Sequence, residues 1–165
     1  MLIQYQDLPK LRKKYQDKKI VYCSGTFDLT HAGHILFFED CKKFGDLLVV
    51  GIGSDAEIKK NKGPDRPILN EDIRLKTILS LKPVDYCLLD RGTHKDKHWQ
   101  VNHVLKHLRP DAYVVNTDAF DIPSRKKIAE KYGVPFKMLK RSCPPSFKNI
   151  SSSGIIKKIK ALSQV

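Results

Sequence analysis

The chain has 165 residues, 41% of them hydrophobic and 30% charged, with a formal net charge of +13 and a pI near 9.6. That is the composition of a soluble globular protein long enough to bury a core as a single domain over residues 1–165. Its apolar runs stop short of the roughly 18 residues of a membrane span, and its N-terminus lacks the charge order of a secretory signal, so both of those classes are set aside.

In chain order, a basic N-terminal extension over 1–18 precedes a core expected at 19–160. Short runs rich in Val, Ile, Leu and Tyr predict strands at 19–23, 47–53, 86–89, 112–116 and 135–139. Helices are expected near 33–44, 71–81, 97–108, 124–132 and 152–162. Asn70 followed by Glu71 and Asp72 is a helix start, and Gly133 after Tyr132 a stop. Two basic stretches, 55–69 and 141–150, read as irregular. Strands alternating with helices predict a Rossmann-like α/β fold: a doubly wound, parallel, five-stranded sheet with helices on both faces. Such sheets bind ligands beyond the carboxyl ends of their strands, where the strand order reverses. Four scattered cysteines, Cys23, Cys41, Cys87 and Cys143, form no C-x-x-C pair and read as reduced residues of a cytoplasmic protein.

The first strand runs directly into "GTFDLTHAGH". Gly25 allows a sharp turn that brings backbone close to a ligand, and the Thr26 hydroxyl with the amides of Thr26 and Phe27 can donate to phosphate oxygens. His31 and His34 share one face of the following helix start, itself an anion site. Gly33 between them removes side-chain bulk where a nucleotide would pass. Two histidines could also be zinc ligands, although the neighbouring sequence offers no third. From residue 123 to 160 there are eleven Lys or Arg and a single acid, Glu130, a distribution that attracts polyanions without choosing among them.

"GTFDLTHAGH" together with "ISSSGIIKKI" near the C-terminus resembles the signatures of the cytidylyltransferase-like nucleotidyltransferases, across about 19–160. The resemblance implies in-line transfer of a nucleotidyl group from a nucleoside triphosphate to a phosphorylated small molecule, with release of pyrophosphate. It implies that His34 contacts the α-phosphate, that His31 and Thr26 hold the triphosphate, and that Ser151, Ser152 and Ser153 bind the β- and γ-phosphates. Lys62, in "KGPDRP", is implied over the α-phosphate and the acceptor phosphate, and Arg74, in "NEDIRL", at the phosphates. A divalent cation, Mg2+ for preference, is implied to be held mainly by the substrate phosphates, with no protein ligand assigned. Homodimers are common in such families, and one is allowed for here.

"SDAEIKKNKGPDRPI" with "EDIRLKTILSLKPVDY" is most similar to the adenylyltransferase domain of heptose 1-phosphate enzymes, favouring ATP and a sugar phosphate. "LKPVDY" is also similar to archaeal FAD synthases, and the frame is shared less closely with the phosphocholine and glycerol 3-phosphate cytidylyltransferases. Two departures mark this chain. Asn116 and Thr117 replace the glycines that follow the fourth strand, leaving Asp118, so Asn116 and Asp118 are candidates for an altered base or acceptor pocket. Arg141 is separated from Ile150 by "SCPPSFKN", where Lys148 is a candidate substitute. A nucleic-acid-binding protein and a nucleotide sensor without turnover are the alternatives from other classes. The sequence shows neither a nucleic-acid-binding motif nor an interleaved aromatic platform.

Overall fold

The computed structural model describes residues 1–91, 94–140, 144–147 and 150–162. Its strands alternate between two cores. In β1 (Ile20–Gly25) Ile20 and Tyr22 enter one hydrophobic cluster while Val21 and Cys23 enter the other, the two-residue period of an extended chain. β2 (Leu47–Ile52), β3 (Tyr86–Leu89), β4 (Ala112–Asn116) and β5 (Phe136–Leu139) complete a sheet of order β3-β2-β1-β4-β5. Every pairing in it is parallel. This is the doubly wound α/β sheet expected from the sequence. The order reverses at β1, so the crevice beyond Gly25 is the switch point.

One face carries α1 (Leu8–Lys14), α5 (Trp99–Leu108) and α6 (Ile122–Lys131), which bury Leu8, Val104, Leu105, Leu108 and Ala129 against Tyr22, Leu88 and Tyr113. The other carries α2 (Ala32–Lys42) and α4 (Glu71–Leu79), which set Phe37, Phe38, Cys41, Leu75 and Ile78 against Val21, Val50 and Cys87. Residues 1–18, set apart in the sequence as a basic extension, pack onto this body. Leu8 and Leu11 join the core, Arg12 Nη1 donates to Asp111 Oδ2 at 2.9 Å, and Leu2 makes a parallel bridge to Cys87 beside the edge strand β3.

The stretch 55–69, expected to be irregular, contains a further helix, α3 (Asp55–Lys62). Ser54 caps it, its hydroxyl accepting from the Glu57 amide at 3.2 Å. Asp55 and Glu57 occupy its first turn and Lys59, Lys60 and Lys62 its last. That charge order complements the helix dipole, so residues that look like a solvated basic loop form a helix on the burial of Ile58 alone. Gly63, at φ 96°, ends it in a conformation that disfavours any side chain. The last helix, α7 (Ser152–Leu162), has the bounds expected. Cys23, Cys41 and Cys87 are buried free thiols, and Cys143 lies outside the described residues.

Candidate active site

β1 ends at Gly25, where an added Cβ would lie 2.9 Å from the ring of Phe27. The turn continues through Phe27 at φ 50° and Leu29 at φ 47°, a left-handed geometry that costs about 1–3 kcal/mol per non-glycine residue and is found where a site over-determines it. Phe27 folds back as a buried wedge. Its ring meets Phe38 at 4.9 Å and the edge of His34 at 5.6 Å, so the turn itself supports the imidazole.

The start of α2 is capped by its own histidines. His31 Nδ1 accepts from the Gly33 amide at 3.1 Å, and His34 Nδ1 accepts from the His31 amide at a longer 3.4 Å. The two rings stack at 4.0 Å with an interplanar angle of 22°. A ring nitrogen that accepts from an amide carries no proton, so in the neutral form both protons sit on Nε2. Both histidines therefore present an N–H edge, the state suited to donating to an anion.

Asp28, which the sequence reading left without a role, is the staple of the site. Its carboxylate is 1% exposed and pairs with Arg66, whose Nη2 lies 2.9 Å and Nε 3.0 Å from Oδ2. The amides of Ile68 and Leu69 donate to the same carboxylate at 2.9 and 3.0 Å. The basic segment after α3 is thus tied to the turn after β1. At the other end of the chain, Ser151 Oγ accepts from the Gly154 amide at 3.0 Å and caps α7, while the Ser152 hydroxyl donates to the Asp28 carbonyl.

These elements enclose a cleft of about 1010 Å³, open to solvent, beyond the end of β1. Gly25, Thr26, Phe27, His31, Gly33, His34, Lys62, Asn116, Asp118, Ser151, Ser152 and Ser153 all line it, so nearly every candidate residue of the sequence reading meets here. The N-termini of α2 and α7 both open onto it, a pairing that favours a polyanion. Desolvation against the cavity wall and the neighbouring Arg66 push the Lys62 ammonium below the ordinary lysine value, with Asp28 and Asp118 opposing.

Arg74 is a correction. It was expected at the phosphates, but it is fully buried and does not line the cleft. Its Nε donates to Leu69 O at 3.0 Å, Nη1 to Thr26 O at 2.8 Å, and Nη2 to Gly53 O at 2.9 Å and Asp55 Oδ1 at 2.7 Å. It holds the turn after β1 from behind. Arg141 and Lys148 lie outside the described residues.

A second chamber of about 790 Å³ adjoins the cleft on the β2–β3 side. Its wall is more apolar than polar: Ile58, Trp99, Val101 and Phe120 line it together with Glu57, Asn61, Asp90, His94 and Gln100. His94 stacks on Trp99 at 3.8 Å and pairs with Asp90 at 2.9 Å. At its rim Asp121 takes Lys97 at 2.5 Å and His98 at 2.9 Å, which holds its carboxyl well below the usual carboxylate range. Arg125, unassigned in the sequence reading, lines both chambers. In the sequence it is one of three consecutive basic residues, and only its helical position singles it out.

Among the described residues no three His, Cys, Asp or Glu side chains cluster to hold a metal ion, and no helix is long and apolar enough to cross a membrane.

A family model described as cytidylyltransferase-like matches residues 22–158. The bifunctional protein HldE of Helicobacter pylori (strain P12) is 33% identical over 154 residues, covering 93% of this chain and 30% of its own length. That of Geobacter sulfurreducens is 34% identical over 122 residues, 73% of this chain and 24% of its own length. The chain therefore spans less than a third of the length of these curated relatives. Among solved structures, a lipopolysaccharide core biosynthesis protein from Thermoplasma volcanium superposes with a TM-score of 0.62 at 32% identity, over 76% of this chain and 98% of that one. Pantoate-beta-alanine ligase from Francisella tularensis, solved with beta-gamma ATP and beta-alanine, superposes with a TM-score of 0.63 over 97% of this chain and 77% of its own. Its 15% identity makes that a likeness of fold alone.

Proposed function

The chain belongs to the cytidylyltransferase-like family and is a nucleotidyltransferase, and we propose that it transfers the adenylyl group of ATP to a sugar phosphate of the heptose 1-phosphate kind. The observation that carries this reading is the convergence of two motifs. The HxGH start of α2 and the serine-rich start of α7 open on one cleft at the switch point of the sheet. In this reading the triphosphate lies in the cleft, with Nε2–H of His34 on the α-phosphate, and His31, Thr26 and Ser151 to Ser153 along the rest. The acceptor occupies the second chamber, and its phosphate oxygen attacks the α-phosphorus as pyrophosphate leaves. No protein nucleophile is needed, because the attacking oxygen is already anionic. The work left to the protein is positioning and neutralisation of growing charge.

Lys62, at the end of α3, would move with the α3 segment over the α-phosphate, and Asn116 and Asp118 would meet the ribose or base. A divalent cation such as Mg2+, bound with the triphosphate, would supply further neutralisation of its charge. The triphosphate oxygens would hold most of its coordination, and no protein ligand is assigned to it. The choice of a sugar phosphate rests on the heptose-type pattern through "KGPDRP" and on the naming of relatives as HldE and as a lipopolysaccharide core protein. It is tested by pyrophosphate release with ATP, CTP, GTP and UTP against heptose 1-phosphate, glycerol 3-phosphate, phosphocholine and FMN. Release with ATP and the sugar phosphate is expected. Equal or better release with CTP, or with another acceptor, would overturn the substrate assignment and leave the reaction class standing.

A further inference from the structure

Six residues are common to the two chambers: Ser24, Gly25, Thr26, Lys62, Phe120 and Arg125. Two of these are cations. In-line transfer needs the attacking oxygen and the phosphorus about 3–3.5 Å apart, so it takes place where the chambers meet. The groups in that shared wall are the ones that face the reacting phosphates.

The two cations differ in kind. Lys62 ends α3, next to the segment that Asp28 staples down, and its side chain has a flexible stem. Arg125 is fixed in place before any ligand arrives. Its Nε donates to Phe120 O at 2.7 Å, and Nη1 donates to Ser24 Oγ at 3.0 Å and to the buried Tyr113 hydroxyl at 2.5 Å. Those ties reach from α6 across to β1 and β4 and hold the guanidinium plane at the junction. The triphosphate side already has two helix N-termini and two histidines. On the acceptor side, Lys97 is committed to Asp121 and His94 to Asp90. With Nε and Nη1 committed, Nη2 is the nitrogen left to donate, and it does so from a fixed plane, which suits a phosphate oxyanion better than a mobile ammonium.

We infer that Arg125 receives the phosphate of the acceptor and aims its oxygen at the α-phosphorus. The inference rests on the proposed transfer reaction and adds a binding residue that neither signature motif contains. Arg125→Met, in the full-length chain, should raise the acceptor KM about tenfold or more and lower kcat, with the Kd for ATP within about threefold of wild type. Arg125→Lys keeps the charge but loses the fixed plane and its ties to Ser24 and Tyr113. It should raise the acceptor KM by about fivefold and serves as the test if the methionine variant does not fold. An unchanged acceptor KM in the folded variant would overturn the assignment. So would a loss of ATP affinity as large as the rise in acceptor KM, which would make Arg125 a nucleotide ligand or a purely structural tie. Wild-type protein is the reference. If it releases pyrophosphate with no acceptor, the transfer reading itself fails and this assignment with it; if it turns over and Arg125→Met is indifferent, only the assignment fails.

Discussion

The Ser152 hydroxyl donates to the backbone carbonyl of Asp28, joining residues 124 positions apart. On one side of that bond is the turn that carries the histidines; on the other is the start of α7. That bond joins the two motif-bearing segments directly, the turn after β1 and the start of α7.

His34→Ala should reduce turnover about 100- to 1,000-fold while weakening ATP binding far less, as expected for a donor whose contact strengthens as charge develops. Steady-state pyrophosphate release and calorimetric titration with ATP check the two halves. Turnover near wild type would show that the imidazole is only a cap for α2.

Asp28→Ala should be among the most damaging single changes in the fold. It leaves Arg66 in a largely buried position without its partner and removes the acceptor for two amides. Breaking a buried pair from one side costs about 3–5 kcal/mol, to be read from urea unfolding. A loss below 1 kcal/mol would mean that the pair contributes little.

Arg74→Met separates the two roles given to that residue. If the arginine braces the turn from behind, the variant is destabilised by roughly 3 kcal/mol or more, and ATP affinity falls only as the fold loosens. A variant of unchanged stability with ATP affinity lost about 100-fold would return Arg74 to the phosphates.

Lys62 fixes the sign of an alkaline pH dependence. Its folded value is depressed below the ordinary 10.5, so it loses its proton at lower pH than a free lysine. Activity that needs the ammonium is complete below that folded value and falls as pH rises through it. In kcat/KM profiles Lys62→Gln should run lower and lack this limb. A limb that persists in the variant belongs to another group.

How much of this was legible in the chain varies with how strongly local pattern and burial agree. β3, β4 and α7 fall on the residues the periodicity predicts, because each is a short run with clear punctuation. α1 and α3 were missed for a shared reason. Each presents only one or two inward residues, Leu8 and Leu11 or Ile58, among charges that read as solvent-facing. The cleft residues of the two motifs were readable because turn glycine, paired histidines and serines each have a chemical reason to be there. Arg74 and Arg125 were not, since nothing local tells a buried, fully bonded guanidinium from one that meets a ligand. Asp28 stood in plain view within the motif, but its partner Arg66 lies 38 residues on, and only the fold brings them together.

The central claim is that an acceptor phosphate oxygen attacks the α-phosphorus of ATP. The most direct test is to incubate the protein with ATP and heptose 1-phosphate labelled with oxygen-18 in its phosphate, and to follow the label by mass spectrometry. The account predicts an ADP-sugar that keeps all of the label, including its bridging oxygen, together with unlabelled pyrophosphate. Label in the pyrophosphate, or cleavage of ATP without any ADP-sugar, would contradict it.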